Sequence, residues 1–315
     1  MLPATLLLSG RDKRGETMKP FVFVTLLMLA FSATADTVVY TARKIITMEP
    51  ALPEASAVMV EGDRIVAVGT LESLARLIAQ RSARIDRQLA DKILMPGFID
   101  PHVHPSLPAV LTQFPFLAPD DWSLPTGEFP GARTPEDFEK RLKALVADFD
   151  EQDVPFIAWG YHPLWHGEVY REQLNAWFPE TPVMLWHRSF HELIGNDAAF
   201  NMLDVSEADA VAAHEADWAR GHFWENGLKA LVPKLGFLFQ PDRFTAGMAN
   251  FLEMLHRGGV TTALDMGTGI FGNPEQEIGL IRSVAEQSGA PSRLILTPII
   301  TDFLARGRTP EQAHA

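Results

Sequence analysis

Short apolar runs alternate with stretches of helical periodicity along most of this chain. Near its start, residues 37–47 (TVVYTARKIIT) and 57–69 (AVMVEGDRIVAVG) are rich in β-branched residues. The second is interrupted by Glu61-Gly62-Asp63-Arg64, a sequence suited to a hairpin turn. Together they predict a small N-terminal β domain, sandwich-like, over residues 36–95. A third apolar stretch, 92–98 (KILMPGF), passes through Pro96-Gly97 into Ile99-Asp100-Pro101-His102-Val103-His104, so the chain changes character at about residue 96.

Beyond that point the pattern is that of a parallel α/β arrangement. Candidate strands are 155–160 (PFIAWG), 182–187 (PVMLWH), 260–267 (VTTALDMG) and 293–298 (RLILTP). Thr134-Pro135-Glu136-Asp137 opens a helix with an N-cap, a proline at its first position and acid in its first turn. Phe138, Leu142, Leu145, Val146 and Phe149 then fall on one face. Two more helices are expected, from about Asp242 to Arg257 before Gly258-Gly259, and from Pro274 to about Ser288 before Gly289. With the strand carrying His102 and His104, five parallel strands are expected. An open doubly wound sheet accepts five, whereas a (β/α)8 barrel requires eight.

The segment 1–35 reads as an address. Its core, Met18–Ala35 (MKPFVFVTLLMLAFSATA), has a basic Lys19, an apolar run from Phe21 to Phe31, and small residues Ala33 and Ala35 at signal-peptidase spacing. The apolar run is far short of the ~20 residues that span a bilayer. Export to a bacterial periplasm or the extracellular space is therefore expected, with no stable membrane anchor.

The chain has 27 Lys+Arg against 40 Asp+Glu and a net charge of −13, which excludes the basic surface of a nucleic-acid binder. Composition leaves oligomeric state open. Cysteine is absent, so metal ligands must be His, Asp, Glu or a modified Lys.

His102 and His104 are the sharpest chemical feature. Residues two apart on a strand point to one face and can both reach a cation at about 2.0–2.1 Å, zinc being the natural one. A bare His-x-His is common by chance; an apolar strand, Pro-Gly and an acidic residue leading into it are more specific. His162 and His166 (GYHPLWHGE) follow a candidate strand, where pocket-lining residues belong in a barrel; a solvated loop is the alternative. The tryptophans, among them Trp159, read mainly as core, with one or two available for an apolar substrate wall.

LMPGFIDPHVHP (residues 94–105), preceded by a hairpin containing EGDRIVAVG, resembles the first barrel strand and flanking β domain of the amidohydrolase superfamily. FIAWGY (156–161), PVMLWHRSFHELIGNDAAF (182–200), GHFWE (221–225) and GGVTTALDMG (258–267) are similar, in order, to the family-3 amidohydrolases that include N-substituted formamide deformylase-like proteins. The resemblance covers nearly everything from residue 37 onward.

That resemblance implies a (β/α)8 TIM-type barrel, incomplete in this chain, over residues 96–315 and contributing about five strands. It implies one or two zinc-like ions held by His102 and His104, with Glu225 as a bridging or site carboxylate and, beside His191, a catalytic group. Asn196, Trp159, Tyr161, His162 and Asp265 would face the substrate. The remaining ligands of the family pattern, two histidines and an aspartate from later strands, would lie beyond residue 315. The implied reaction is hydrolysis of a non-peptide carbon–nitrogen bond in a small amide, formamide or cyclic amide by a metal-activated water. The alternatives are a deaminase or lactonase of the same superfamily, and a non-catalytic exported fragment or pseudogene product.

Overall fold

A computed structural model describes residues 36–269 and 274–299, with Gly307 and Thr309; the segment expected to direct export lies outside these residues. The described chain divides between Pro96 and Gly97 into two units.

The first unit is one five-stranded sheet. Strand β1 (Thr37–Ile46) pairs antiparallel with β2 (Glu54–Glu61), which turns at Gly62 (φ +61°) into β3 (Arg64–Gly69). Helix α1 (Leu71–Arg81) begins with a capping box between Thr70 and Ser73. It buries Leu74 against Val39, Ala57 and Met59. The chain returns to add β4 (Arg84–Asp86) and β5 (Ile93–Leu94) parallel to β1. Among the described residues the apolar face is covered by this one helix. Helix α1 supplies Leu71, Leu74, Leu77 and Ile78 to that cover, one stripe at helical spacing.

The second unit begins with β6 (Phe98–Val103), which carries His102 and leads through His104 into α2 (Ser106–Leu111). A hairpin of β7 (Trp122–Leu124) and β8 (Gly127–Phe129) precedes α3 (Pro135–Ala147), whose Phe138, Leu142 and Val146 are buried as their spacing predicts. Strand β9 (Phe156–Tyr161), short helix α4 (Pro163–His166), α5 (Arg171–Trp177) and β10 (Val183–His187) follow, with β10 parallel to β9. Next come β11 (Glu192–Gly195), α6 (Asp197–Met202), α7 (Glu207–Ala213), β12 (Ala216–Asp217) and β13 (His222–Trp224). Helix α8 (Asn226–Leu231), a 3-10 segment (Val232–Phe239), α9 (Pro241–Arg257), β14 (Val260–Thr268), α10 (Pro274–Ser288) and β15 (Arg293–Pro298) complete the order.

The five expected parallel strands do not share a sheet. Strands β6, β14 and β15 form one three-stranded parallel sheet with β14 in the middle. Strands β9 and β10 belong to a separate mixed sheet of order β12-β13-β11-β10-β9, in which β11, β12 and β13 pair antiparallel. All five expected strands are thus present with parallel neighbours, divided three and two between the sheets, and the described residues close no barrel. Both faces of β9 and β10 are covered. Ile157, Trp159, Met184 and Trp186 enter one apolar cluster while Phe156, Ala158, Val183 and Leu185 enter another, the strict alternation of a strand buried on two sides.

The three-stranded sheet rests on helices. Ala263 of β14 packs with Phe244, Met248 and Phe251 of α9 and Ile281 and Val284 of α10. Helix α9 approaches α2 closely at Gly247, where a Cβ would sit 1.8 Å from the Ala109 carbonyl oxygen. Only glycine permits that approach, and it fixes α2 directly behind His104.

Candidate metal centre and neighbouring cleft

The C-terminal end of β6 brings two imidazoles together. His102 Nε2 and His104 Nε2 lie 3.3 Å apart, with the rings edge to face at 5.1 Å. The Asp100 carboxylate accepts the His102 backbone N–H at 3.1 Å and steadies the turn of the chain there. Two nitrogens bound tetrahedrally to zinc at about 2.0–2.1 Å stand about 3.3–3.4 Å from each other, so the pair already has the spacing of two ligands on one ion.

Behind His104 lies Asp265, on the adjacent strand β14, where the register sets Asp265 opposite Val103. Its carboxylate is buried, accepts hydrogen bonds from Gly267 N–H at 2.9 Å and from the Thr268 hydroxyl, and stands 3.7 Å from His104 Nδ1. His104 Nδ1 is itself buried without a hydrogen-bond partner. Asp265, expected to face the substrate, therefore stands beside the histidine. Among the described residues no three His, Asp or Glu side chains converge where a metal could sit. The histidine pair fits two positions of a metal's shell, and Glu225 is not a third beside it.

Glu225 is instead paired with His191. The two side chains meet at 3.1 Å, both largely exposed, and the Glu225 N–H donates to the His191 carbonyl at 3.0 Å. Glu225 has φ +46° and ψ −112°, a backbone conformation that side chains other than glycine rarely take. The pair borders an open cleft of about 410 Å³, lined also by Glu192, Asp217, Arg220, His222 and Trp224.

Sequence reading missed part of this cleft. Glu192 and His222 project from neighbouring strands β11 and β13 and meet at 2.8 Å, and His187 Nδ1 lies 3.5 Å from the same carboxylate. Burial lowers the His187 pKa below the usual imidazole range. Strand alternation over 192–195 is the signal that could have set Glu192 on the face opposite Leu193; nothing in the sequence placed His222 beside it.

The remaining expected site residues have structural tasks. Asn196 is fully buried. Its Oδ1 accepts from Val183 N–H and Ala199 N–H, and its Nδ2 donates to the Phe178 and Thr181 carbonyls, so it caps α6 and ties it to β10. Asn followed by Asp-Ala-Ala-Phe is an N-cap signature that could have revealed this.

Tyr161 is buried, with its hydroxyl donating to the Gly167 carbonyl and accepting from Val169 N–H, and burial raises its pKa. Trp159 lies inside an aromatic group with Phe116 and Trp122, and among the described residues its indole N–H finds no partner. Both are buried in the packed interior. His162 caps α4 by accepting from Leu164 N–H, and its ring lies 4.9 Å from that of His187. His166 is buried, which excludes the solvated-loop reading of that residue.

Comparison with known proteins agrees with this architecture. The exoenzymes regulatory protein AepA of Pectobacterium carotovorum subsp. carotovorum is 28% identical over 187 residues, 58% of this chain and 37% of that protein. An uncharacterized metal-dependent hydrolase from Pyrococcus horikoshii OT3 matches with a TM-score of 0.60 at 17% identity, covering 86% of this chain and 51% of that one. A second, from Pyrococcus furiosus, matches with a TM-score of 0.57 at 16% identity, covering 83% and 50%. The solved structures share the fold, and this chain spans about half their length. Residues 87–314 match the amidohydrolase family, and with that match extending over most of its length, the chain belongs to this family.

Proposed function

We propose that this chain carries the first metal-ligand pair of an exported hydrolase that cleaves carbon–nitrogen bonds in small amides, formamides or cyclic amides. The observation that carries the reading is the 3.3 Å separation of His102 and His104 Nε2, the spacing of two ligands on a tetrahedral zinc-like ion. Such an ion supplies Lewis acidity and a water of lowered pKa. His102 and His104 would hold it at the strand end, and His191 with Glu225 would supply a polar pair for orienting substrate or moving a proton. Membership of the amidohydrolase family supports the reaction class. Substrate choice within it rests on loops, and the substrate class named here is an expectation from the family resemblance.

The test is zinc content and zinc affinity of the purified chain and of a His102→Ala/His104→Ala variant, read by elemental analysis and calorimetry. Zinc bound by the wild type and lost from the double variant supports the reading. Equal zinc in both overturns it. A second reading, of a non-catalytic metal-binding module, is favoured by the absence of a converging third ligand among the described residues. Zinc uptake without hydrolysis of an amide, formamide and cyclic-amide panel would select it.

A further inference from the structure

Asp265 and His104 form an arrangement whose purpose the fold alone does not explain. A buried carboxylate is costly unless opposed by positive charge or several donors. Among the described residues Asp265 has only two donors, both neutral, Gly267 N–H and the Thr268 hydroxyl. Its Oδ1 stands 3.7 Å from a buried imidazole nitrogen that, among the described residues, itself has no hydrogen-bond partner. Two unmet needs face each other across a gap that a small rotation closes. The contact is also sterically provided for: a Cβ on residue 267 would lie 2.8 Å from His104 Nδ1 and 3.0 Å from its Cε1, so glycine there is the condition for the ring to occupy this place.

We propose that Asp265 is a positioning residue that takes the Nδ1–H of His104 and so fixes the tautomer whose bare Nε2 points at His102. This rests on the reading of His102 and His104 as metal ligands. A ligating imidazole needs an unprotonated nitrogen toward the ion and gains basicity when a carboxylate holds the opposite N–H. In the metal-free protein the same tautomer lets His104 Nε2 accept the His102 Nε2–H across the observed 3.3 Å. To offer its own Nε2 to an ion, His102 would carry its single ring hydrogen on Nδ1 instead, a change of tautomer made by exchange with solvent and without net loss of a proton. Thr268 and the Gly267 N–H hold the carboxylate against rotation.

The test uses the whole chain with isotope-labelled histidine, metal-free, at pH 8. Long-range proton–nitrogen correlation spectra should give His104 protonated at Nδ1 and bare at Nε2. In Asp265→Ala the ring should revert toward the Nε2–H form, and zinc affinity should fall about 10- to 100-fold. Asp265→Asn keeps an acceptor and the size of the side chain, so it should retain much of the tautomer and lose less affinity. It also carries the test if the alanine variant does not fold.

A wild-type His104 protonated at Nε2, or tautomer and affinity unchanged in both variants, would overturn the proposal. If the wild type takes up no zinc but the Nδ1–H form still depends on Asp265, the positioning role stands and the metallohydrolase reading falls.

Discussion

Gly267 lies against the imidazole of His104 so closely that a Cβ there would stand 2.8 Å from Nδ1. Gly267 lies on β14 and His104 just past the end of the adjacent parallel strand β6, and the ring occupies the space that a side chain at 267 would take. Gly267→Ala should therefore push the ring off its place without touching a ligand atom. The expected outcome is a 10- to 100-fold loss of zinc affinity, the size of effect seen when a ligand's support is disturbed. Overpacking of this kind should cost about 1–3 kcal/mol of stability. Calorimetric titration with zinc and urea unfolding measure the two effects; unchanged affinity would mean that the ring has room to spare.

Asn196 should behave as a structural residue. All four of its hydrogen-bonding positions are used inside the protein. Asn196→Ala leaves two backbone carbonyls and two N–H groups short of a partner, and roughly 2–4 kcal/mol of stability should be lost. Asn196→Asp should be at least as damaging, because a carboxylate oxygen would face the Phe178 and Thr181 carbonyls where an NH₂ now donates. Zinc affinity at His102 and His104 should stay within about twofold in any variant that folds, since Asn196 sits in the other sheet. A selective loss of metal with stability intact would return Asn196 to the site.

These two residues mark what could be read from the chain. His102 and His104 were legible because a period of two on a strand after Pro-Gly puts both rings on one side, a local property. Asp265 was legible as a strand-end residue, but not as the partner of His104, because the contact joins positions far apart in sequence through the β6–β14 register. Strands β9 and β10 were legible as strands, but their separation from the sheet of β6, β14 and β15 was not, for a physical reason. Continuous burial makes the same apolar run whether the strand lies in a parallel barrel or at the centre of a mixed sheet, and β11–β13, which decide the matter, are only two to four residues long.

His166 should give the protein an acid-sensitive stability. It is buried, stacked 4.3 Å from Phe138, and its pKa is lowered to about 4, chiefly by burial, with His162 and His187 adding repulsion and the Ala132 carbonyl and Asp137 acting against it. The unfolded chain takes up this proton near pH 6.5 and the folded protein only near 4. The contribution is thus complete above about 6.5, falls by about 1.4 kcal/mol per pH unit between 6.5 and 4, and is level below. Carboxylates add their own slope, so the observable is a difference: urea unfolding of wild type and His166→Gln across pH 4–8 should diverge in slope by about one proton. Parallel curves would show that His166 is protonated as easily folded as unfolded.

Glu225 offers a test of whether strain is kept for a purpose. Its φ of +46° and ψ of −112° are near the first central position of a type II′ turn, about +60° and −120°, where glycine is preferred. Holding a glutamate there costs about 1–3 kcal/mol. Glu225→Gly relieves that cost but adds chain flexibility worth about 0.5–1 kcal/mol. It also removes an exposed ion pair with His191 worth about 0–1 kcal/mol. The balance favours the variant, which should melt a few degrees higher than wild type. Glu225→Ala keeps the strain and loses the pair, so it should melt slightly lower. If the carboxylate serves the cleft it shares with His191, hydrolysis of the amide panel should fall in both variants despite their opposite shifts in stability. A glycine variant less stable than wild type would mean that the conformation is not strained, and the argument that Glu225 is retained for function would lose its basis.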